Sequence, residues 1–218
     1  HRLTYLHPRL AATSCNCQAA ADPLARAGVP REKLFTIYAG HPFCNRPAPP
    51  DAGVRRALGL PKVALVVGFA GNMRRVKGAD VLLKAAIELQ AERSIHWLFS
   101  GRVEDAEVAR LANRPEIRER VHMLGWRDDA QSLMTAMDVF AMPSRSEGFS
   151  RAITEAMELG LCPVATRVGG TPELVRDGVD GLLAPADDVG ALAAAILRLA
   201  HDAPLRNRLA QSARERVK

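Results

Sequence analysis

From Lys62 onward, short apolar runs alternate with stretches of helical periodicity, and this rhythm limits what the chain can fold into more than any other feature. VALVVGFAG, IHWLFSGR, VHMLGW, DVFAMPS, CPVATRV and GLLAP are near-continuous in their apolar character rather than apolar at every second position. A strand with one wet face alternates apolar and polar residues, so continuous runs read as strands buried on both faces. Between them lie helical patterns at Gly78 to Ala91, near Asp105 to Asn113, near Asp129 to Ala136, after Glu147, and from Asp187 to Leu199, with a short turn near Thr171 to Val175. This alternation, with right-handed crossovers, predicts an α/β fold. The expected form is a doubly wound, mainly parallel six-stranded Rossmann-like sheet covered by helices.

The first forty residues have another texture. Short apolar runs lead to a Gly28-Val29-Pro30 turn and then to a strand over Leu34 to Tyr38. His41 to Pro50 holds four prolines and no helical period, which reads as an inter-domain linker. A short helix follows from Asp51 to Leu60, ended near Gly59 and Pro61. The reading divides the chain into 1–40, a linker over 41–50, and a domain over 51–218.

Several function classes recede on composition. The net charge of +6 permits contact with nucleic acid or anionic membranes, but aromatics are only 5% and are not interleaved with basic residues as in base-stacking proteins. No nucleic-acid partner is expected. Cys15, Cys17, Cys44 and Cys162 lack paired metal spacing and read as reduced thiols. No apolar run reaches eighteen residues and no signal peptide opens the chain, so a cytoplasmic location is expected.

Three places end a strand with glycine or a polar loop and then begin a helix, the position at which doubly wound sheets take ligands. The first, Gly71 to Gly78, contains Asn72 and the cations Arg74, Arg75 and Lys77, suited to neutralising a diphosphate. The second carries Glu147, Gly148, Phe149 and Ser150 ahead of a helix with Glu155 near its start. A helix N-terminus favours phosphate, whereas carboxylates repel it, so these two glutamates are better suited to sugar hydroxyls. On a single helix they would stand about 80° apart, so they converge only if Glu147 lies in the loop. The third, Val168 to Glu173, has paired glycines, Gly169 and Gly170, that permit close backbone approach, and Pro172 suits a first helical turn.

Each loop also has an ordinary structural reading: surface cations, a helix capped by Ser146 with Glu155 paired to a nearby arginine, or a tight turn. Trp126, His122 and His96 read as packing residues. No Ser/His/Asp or Cys/His set is legible, and no Asp-x-Asp motif suggests a metal-bound diphosphate, so metal independence is the expectation.

Taken together, Gly71 to Lys77, Pro143-Ser144 with Glu147-Gly148-Phe149 and Glu155-Ala156-Met157, and Val168-Gly169-Gly170 to Glu173 resemble the donor-binding half of retaining glycosyltransferases of family 4. Asp177-Gly178 and Gly181-Leu182-Leu183, then a proline and an Ala-rich helix, match the family's order, so the likeness runs from about Val63 to Val217. It implies the C-terminal half of a GT-B fold. It also implies transfer, with retention at the anomeric carbon, from a nucleoside-diphosphate sugar, with UDP or GDP as the nucleotide, and a place in bacterial-type cell-surface glycan biosynthesis.

By that resemblance Glu155 accepts the ribose hydroxyls, Glu147 contacts the transferred sugar, and Lys77 and Arg74 meet the diphosphate. Gly71, Asn72, Gly148, Phe149, Ser150, Gly169 and Gly170 would line sugar and phosphate, and Gly101, Arg102 and the Leu124-Gly125-Trp126 stretch the base. Asn72 stands where the family usually has arginine. No cofactor is implied besides the nucleotide-sugar substrate.

Residues 1–40 resemble the closing helix and strand of the family's acceptor-binding domain, and helices that cross back to that domain are not expected in 51–218. The reading is thus a donor-binding fragment, inactive alone, whose acceptor is bound elsewhere. The full-length enzyme would be compatible with peripheral association at the inner face of a membrane. A nucleotide-sugar 2-epimerase of the same architecture and a non-catalytic nucleotide-binding or interaction module are the alternatives.

Overall fold

The computed structural model describes residue 7, residues 9–38 and residues 50–218. The linker expected over 41–50 lies outside the described residues except for Pro50, as does Cys44. Two parallel strands, β1 (Thr13–Cys15) and β2 (Leu34–Thr36), flank helix α1 (Gln18–Arg26). No strand is expected at β1 from the sequence. Three residues, one of them buried, carry too short a pattern to register.

Helix α2 (Ala52–Ala57) opens the larger unit, with Asp51 as its N-cap, accepting from the amides of Gly53 and Val54. The unit then runs β3 (Leu65–Ala70), α3 (Ala79–Glu88), β4 (Ile95–Ser100), α4 (Ala106–Ala112), β5 (Val121–Met123), α5 (Ala130–Met134), β6 (Val139–Met142), α6 (Arg151–Leu159), β7 (Cys162–Thr166), α7 (Thr171–Leu174), β8 (Leu182–Ala184), α8 (Val189–His201) and α9 (Ala203–Arg216). All six strands β3 to β8 are parallel, in the order β5-β4-β3-β6-β7-β8. The expected doubly wound, six-stranded sheet is what forms.

The continuous apolar runs are explained by burial from both sides: every residue of β3, β6 and β7 is buried. Helix α3 packs with α4 and α8, while α6 packs with α5 and α9, so two helix groups cover the two faces. No helix is expected at α9 from the sequence pattern. Its apolar face is sparse, with only Leu205, Leu209 and Ala213 buried among charged neighbours. No helix among the described residues is long and apolar enough to cross a membrane.

The chain leaves β5 on one side of the sheet and resumes at β6 on the other, so strand order reverses between the neighbours β3 and β6. Loops at the C-terminal ends of two such strands diverge to opposite faces and open a crevice between them. The β3 loop is Gly71 to Gly78 and the β6 loop is Pro143 to Ser150, the first two sites singled out from sequence.

Candidate functional site

The loop after β3 turns through a 3-10 segment, Arg75–Lys77, and enters α3 at Gly78. Gly78 has φ +71°, and a Cβ there would run into the Pro143 carbonyl of the β6 loop. The two loops therefore pass in direct backbone contact. Arg145 fastens them: its amide donates to the Val76 carbonyl at 2.8 Å, and its guanidinium donates to the Arg75 carbonyl. The same guanidinium bonds both carboxylate oxygens of Asp80 at 2.8 Å and that of Asp187 at 2.7 Å. Burial pushes the Asp80 carboxyl up, but Arg145 and Lys84 outweigh it and hold the group below its usual range.

With the loops so held, Lys77 Nζ reaches Glu147 Oε1 at 2.7 Å, and Ser144 Oγ donates to the same oxygen at 2.8 Å. The Glu147 side chain is 7% exposed and that of Lys77 34% exposed. Glu147 lies in the loop, four positions ahead of the first residue of α6, so it is not on the helical face that carries Glu155. The Gly169-Gly170 loop closes over it. Gly170 donates to the Glu147 carbonyl at 3.3 Å, and at Gly169, φ +49°, a Cβ would collide with that carbonyl.

The remaining predicted residues divide. Glu155 sits in the first turns of α6, 17% exposed at its side chain, with Arg151 Nε 3.0 Å from its Oε1. The pairing with a nearby arginine weighed from sequence is present. Ser150, not Ser146, is the N-cap of α6, and no side-chain cap bond forms there. Arg74 turns away from Glu147: it pairs with Glu104 at 2.9 Å and is 61% exposed. Sequence alone could not separate Arg74 from Lys77, because only the 3-10 turn decides which cation faces the crevice.

Asn72 and Arg102 stitch the β3 and β4 loops together. Met73 donates to the Arg102 carbonyl at 2.8 Å, and the Arg102 amide approaches Asn72 Oδ1 at 3.4 Å. Gly101 donates to the Gly125 carbonyl at 2.8 Å, which brings the β5 loop alongside. Here the packing role expected for Trp126 is corrected: the residue is 57% exposed, and its ring centroid lies 5.6 Å from the Arg102 guanidinium carbon. His96 and His122 sit on adjacent strands with Nδ1 and Nε2 3.0 Å apart.

Among the described residues, Cys15, Cys17 and Cys162 are free and buried, and burial pushes the Cys162 thiol up to about 12. Also among them, no cluster of three His, Cys, Asp or Glu side chains is arranged to hold a metal ion. Arg145 and Asp80 were missed from sequence. Their contact spans 65 positions, and no local pattern marks it.

Three loops from the C-terminal edge of a parallel sheet thus converge on a buried carboxylate held by a lysine. Residues 64–202 match the family model of the glycosyl transferases group 1. The chain belongs to that family. A D-inositol 3-phosphate glycosyltransferase of Corynebacterium urealyticum is 38% identical over 170 residues, covering 73% of this chain and 40% of the relative. Anabaena HepE, solved in complex with UDP, superposes with a TM-score of 0.87 at 29% identity, over 95% of this chain and 58% of HepE. HepE in complex with UDP-glucose gives 0.85 at 28% identity over the same shares. The chain therefore spans two fifths of that curated relative's length and under two thirds of HepE. The group 1 domain here has the Rossmann-like, GT-B type sheet of these solved neighbours.

Proposed function

We propose that this chain is the donor side of a retaining glycosyltransferase, binding a nucleoside-diphosphate sugar across the β3–β6 crevice and presenting its sugar at Glu147. The observation that carries the reading is the Lys77–Glu147–Ser144 cluster, where the cation loop, the glutamate loop and the glycine pair meet. A lysine beside a carboxylate can turn to an entering diphosphate. The carboxylate it leaves is then suited to accept hydrogen bonds from sugar hydroxyls. Glu155, in the first turns of α6, is assigned to the ribose, with Gly148, Phe149 and Ser150 offering amides near the start of that helix.

In this reading the chemistry is electrostatic. As the bond to the anomeric carbon breaks, negative charge grows on the leaving diphosphate, and Lys77 with the loop and helix amides stabilises it. Glu147 positions the sugar and forms no covalent bond; its role differs from the nucleophile of a glycosidase carboxylate pair. UDP is favoured as the nucleotide because HepE, similar over most of this chain, has been solved with UDP and with UDP-glucose. Arg102 and Trp126 are assigned to the base, a reading supported by the exposed Trp126 beside the Arg102 guanidinium.

The test is a thermal-shift and calorimetric screen of UDP, GDP and their sugars against this chain. A ligand selective for the folded state raises the transition temperature. We expect binding to at least one nucleotide sugar, unaffected by a metal chelator, and no sugar transfer to a simple acceptor by this chain alone. Absence of any shift across the screen overturns the reading. Conversion of the donor sugar without an acceptor would favour the epimerase reading instead.

A further inference from the structure

Glu173 gathers three donors from residues 135 to 155 positions away. Its Oε2 accepts the Gln18 amide at 2.8 Å and the Tyr38 hydroxyl at 2.9 Å, and its Oε1 accepts the Ala19 amide at 2.8 Å. Helix α1 has no side-chain cap of its own, since Cys17 stands at its N-cap. The α7 carboxylate thus satisfies orphan amides at the positive end of a helix in the other unit. From behind, Arg216 of α9 donates to the Glu173 and Leu174 carbonyls at 2.8 and 2.7 Å.

The unit held in this way rests on the sugar-end loops. The Tyr38 ring packs on Phe149 with centroids 5.1 Å apart. The Asn16 side chain lies over Gly148, and Cys17 lies over Gly170. Tyr38 is 50% exposed, so its contact adds little to the core, yet it bears on the residue two positions from Glu147. The Glu173 hydrogen bond also lifts the Tyr38 hydroxyl above the ordinary tyrosine range, because it favours the neutral phenol.

We propose that Glu173 is a positioning residue that latches the β1–α1–β2 unit onto the donor loops and, through Tyr38, fixes Phe149 at the sugar end of the site. The proposal rests on the donor-site reading above. It deepens that reading by making sugar engagement, as distinct from nucleotide engagement, depend on a contact between the two units. Phe149 is joined to Glu147 by a single residue, so a latch acting on Phe149 controls the loop that would meet the sugar.

The experiment compares Glu173→Gln and Tyr38→Phe with the parent, all in a Tyr5→Phe background that leaves Tyr38 the sole tyrosine in parent and Glu173→Gln. Ultraviolet titration should show the Tyr38 step moving to lower pH in Glu173→Gln. Calorimetry should show UDP-glucose weakened about fivefold in both variants, with UDP within about twofold of the parent, the scale of one lost ordinary hydrogen bond felt through Phe149. A tyrosine step unmoved by Glu173→Gln, or equal losses for UDP and UDP-glucose, overturns the latch. If the parent binds neither ligand, the donor-site reading fails and the sugar-end role falls with it. The titration then still decides whether Glu173 holds Tyr38.

Discussion

Lys77 Nζ lies 2.7 Å from Glu147 Oε1, joining two loops 70 positions apart at the point where strand order reverses. The contact pairs a partly exposed cation with a nearly buried carboxylate, so removing the cation leaves the carboxylate with Ser144 as its remaining partner among the contacts described above. Lys77→Ala should lower stability by about 1–3 kcal/mol and diphosphate affinity by about tenfold or more. Urea denaturation and UDP calorimetry measure the two effects. Unchanged UDP affinity would remove Lys77 from the site.

The two glutamates should respond differently. Glu155→Gln is expected to weaken UDP and UDP-glucose alike, because the ribose belongs to both, by about fivefold. Glu147→Gln should weaken UDP-glucose alone. A single calorimetric series with both ligands separates the roles, and equal effects in both variants would undo the assignment.

Gly169 is held at φ +49° with the Glu147 carbonyl where a Cβ would stand. Gly169→Ala must strain its own backbone and push the glutamate loop away, for a stability loss of about 1–3 kcal/mol or more. UDP-glucose binding should fall further than stability alone explains. Gly59→Ala is the control: Gly59 also has positive φ, but a Cβ there meets nothing within 4 Å.

Arg145 is the clamp between the loops: its guanidinium is bonded to Asp80, Asp187 and the Arg75 carbonyl, and its amide to the Val76 carbonyl. Arg145→Ala leaves Asp80, 7% exposed at its side chain, with Lys84 at 3.5 Å as its remaining ion-pair partner among the described residues. A loss of about 3 kcal/mol is expected, the scale for one member removed from a buried ion pair. Arg145→Lys should recover part of the stability but little of the UDP affinity, since one ammonium cannot span both carboxylates and the Arg75 carbonyl.

Acid sensitivity should arise at the sheet edge. Burial lowers the His96 pKa, helped by His122 and Arg120, and burial also lowers that of His122. Both folded values lie below the unfolded value, so the unfolded chain binds more protons at mildly acid pH. The stabilising contribution is present above about pH 6.5 and is lost as pH falls through the folded values. Melting temperature should decline below that pH, and His122→Gln should flatten the decline. An unchanged pH profile in the variant would place the sensitivity elsewhere.

The sequence by itself determined the sheet and the loops that gather at the C-terminal ends of its strands. Runs such as VALVVGFAG and CPVATRV are continuous because β3 and β7 are buried on both faces, and burial leaves a local signature. Glycine and charge at Gly71 to Gly78, Glu147 to Glu155 and Gly169-Gly170 marked the loops, because close backbone approach and paired charges need particular residue types. What only the tertiary structure decided is which side chains face one another. Lys77 rather than Arg74 meets Glu147, Arg145 joins Asp80 and Asp187, Trp126 stands exposed beside Arg102, and Glu173 caps a helix 155 positions away. These contacts depend on the angle of a 3-10 turn and on the packing of distant elements. Neither is encoded in the few residues around each partner, so no local pattern in the chain could reveal them.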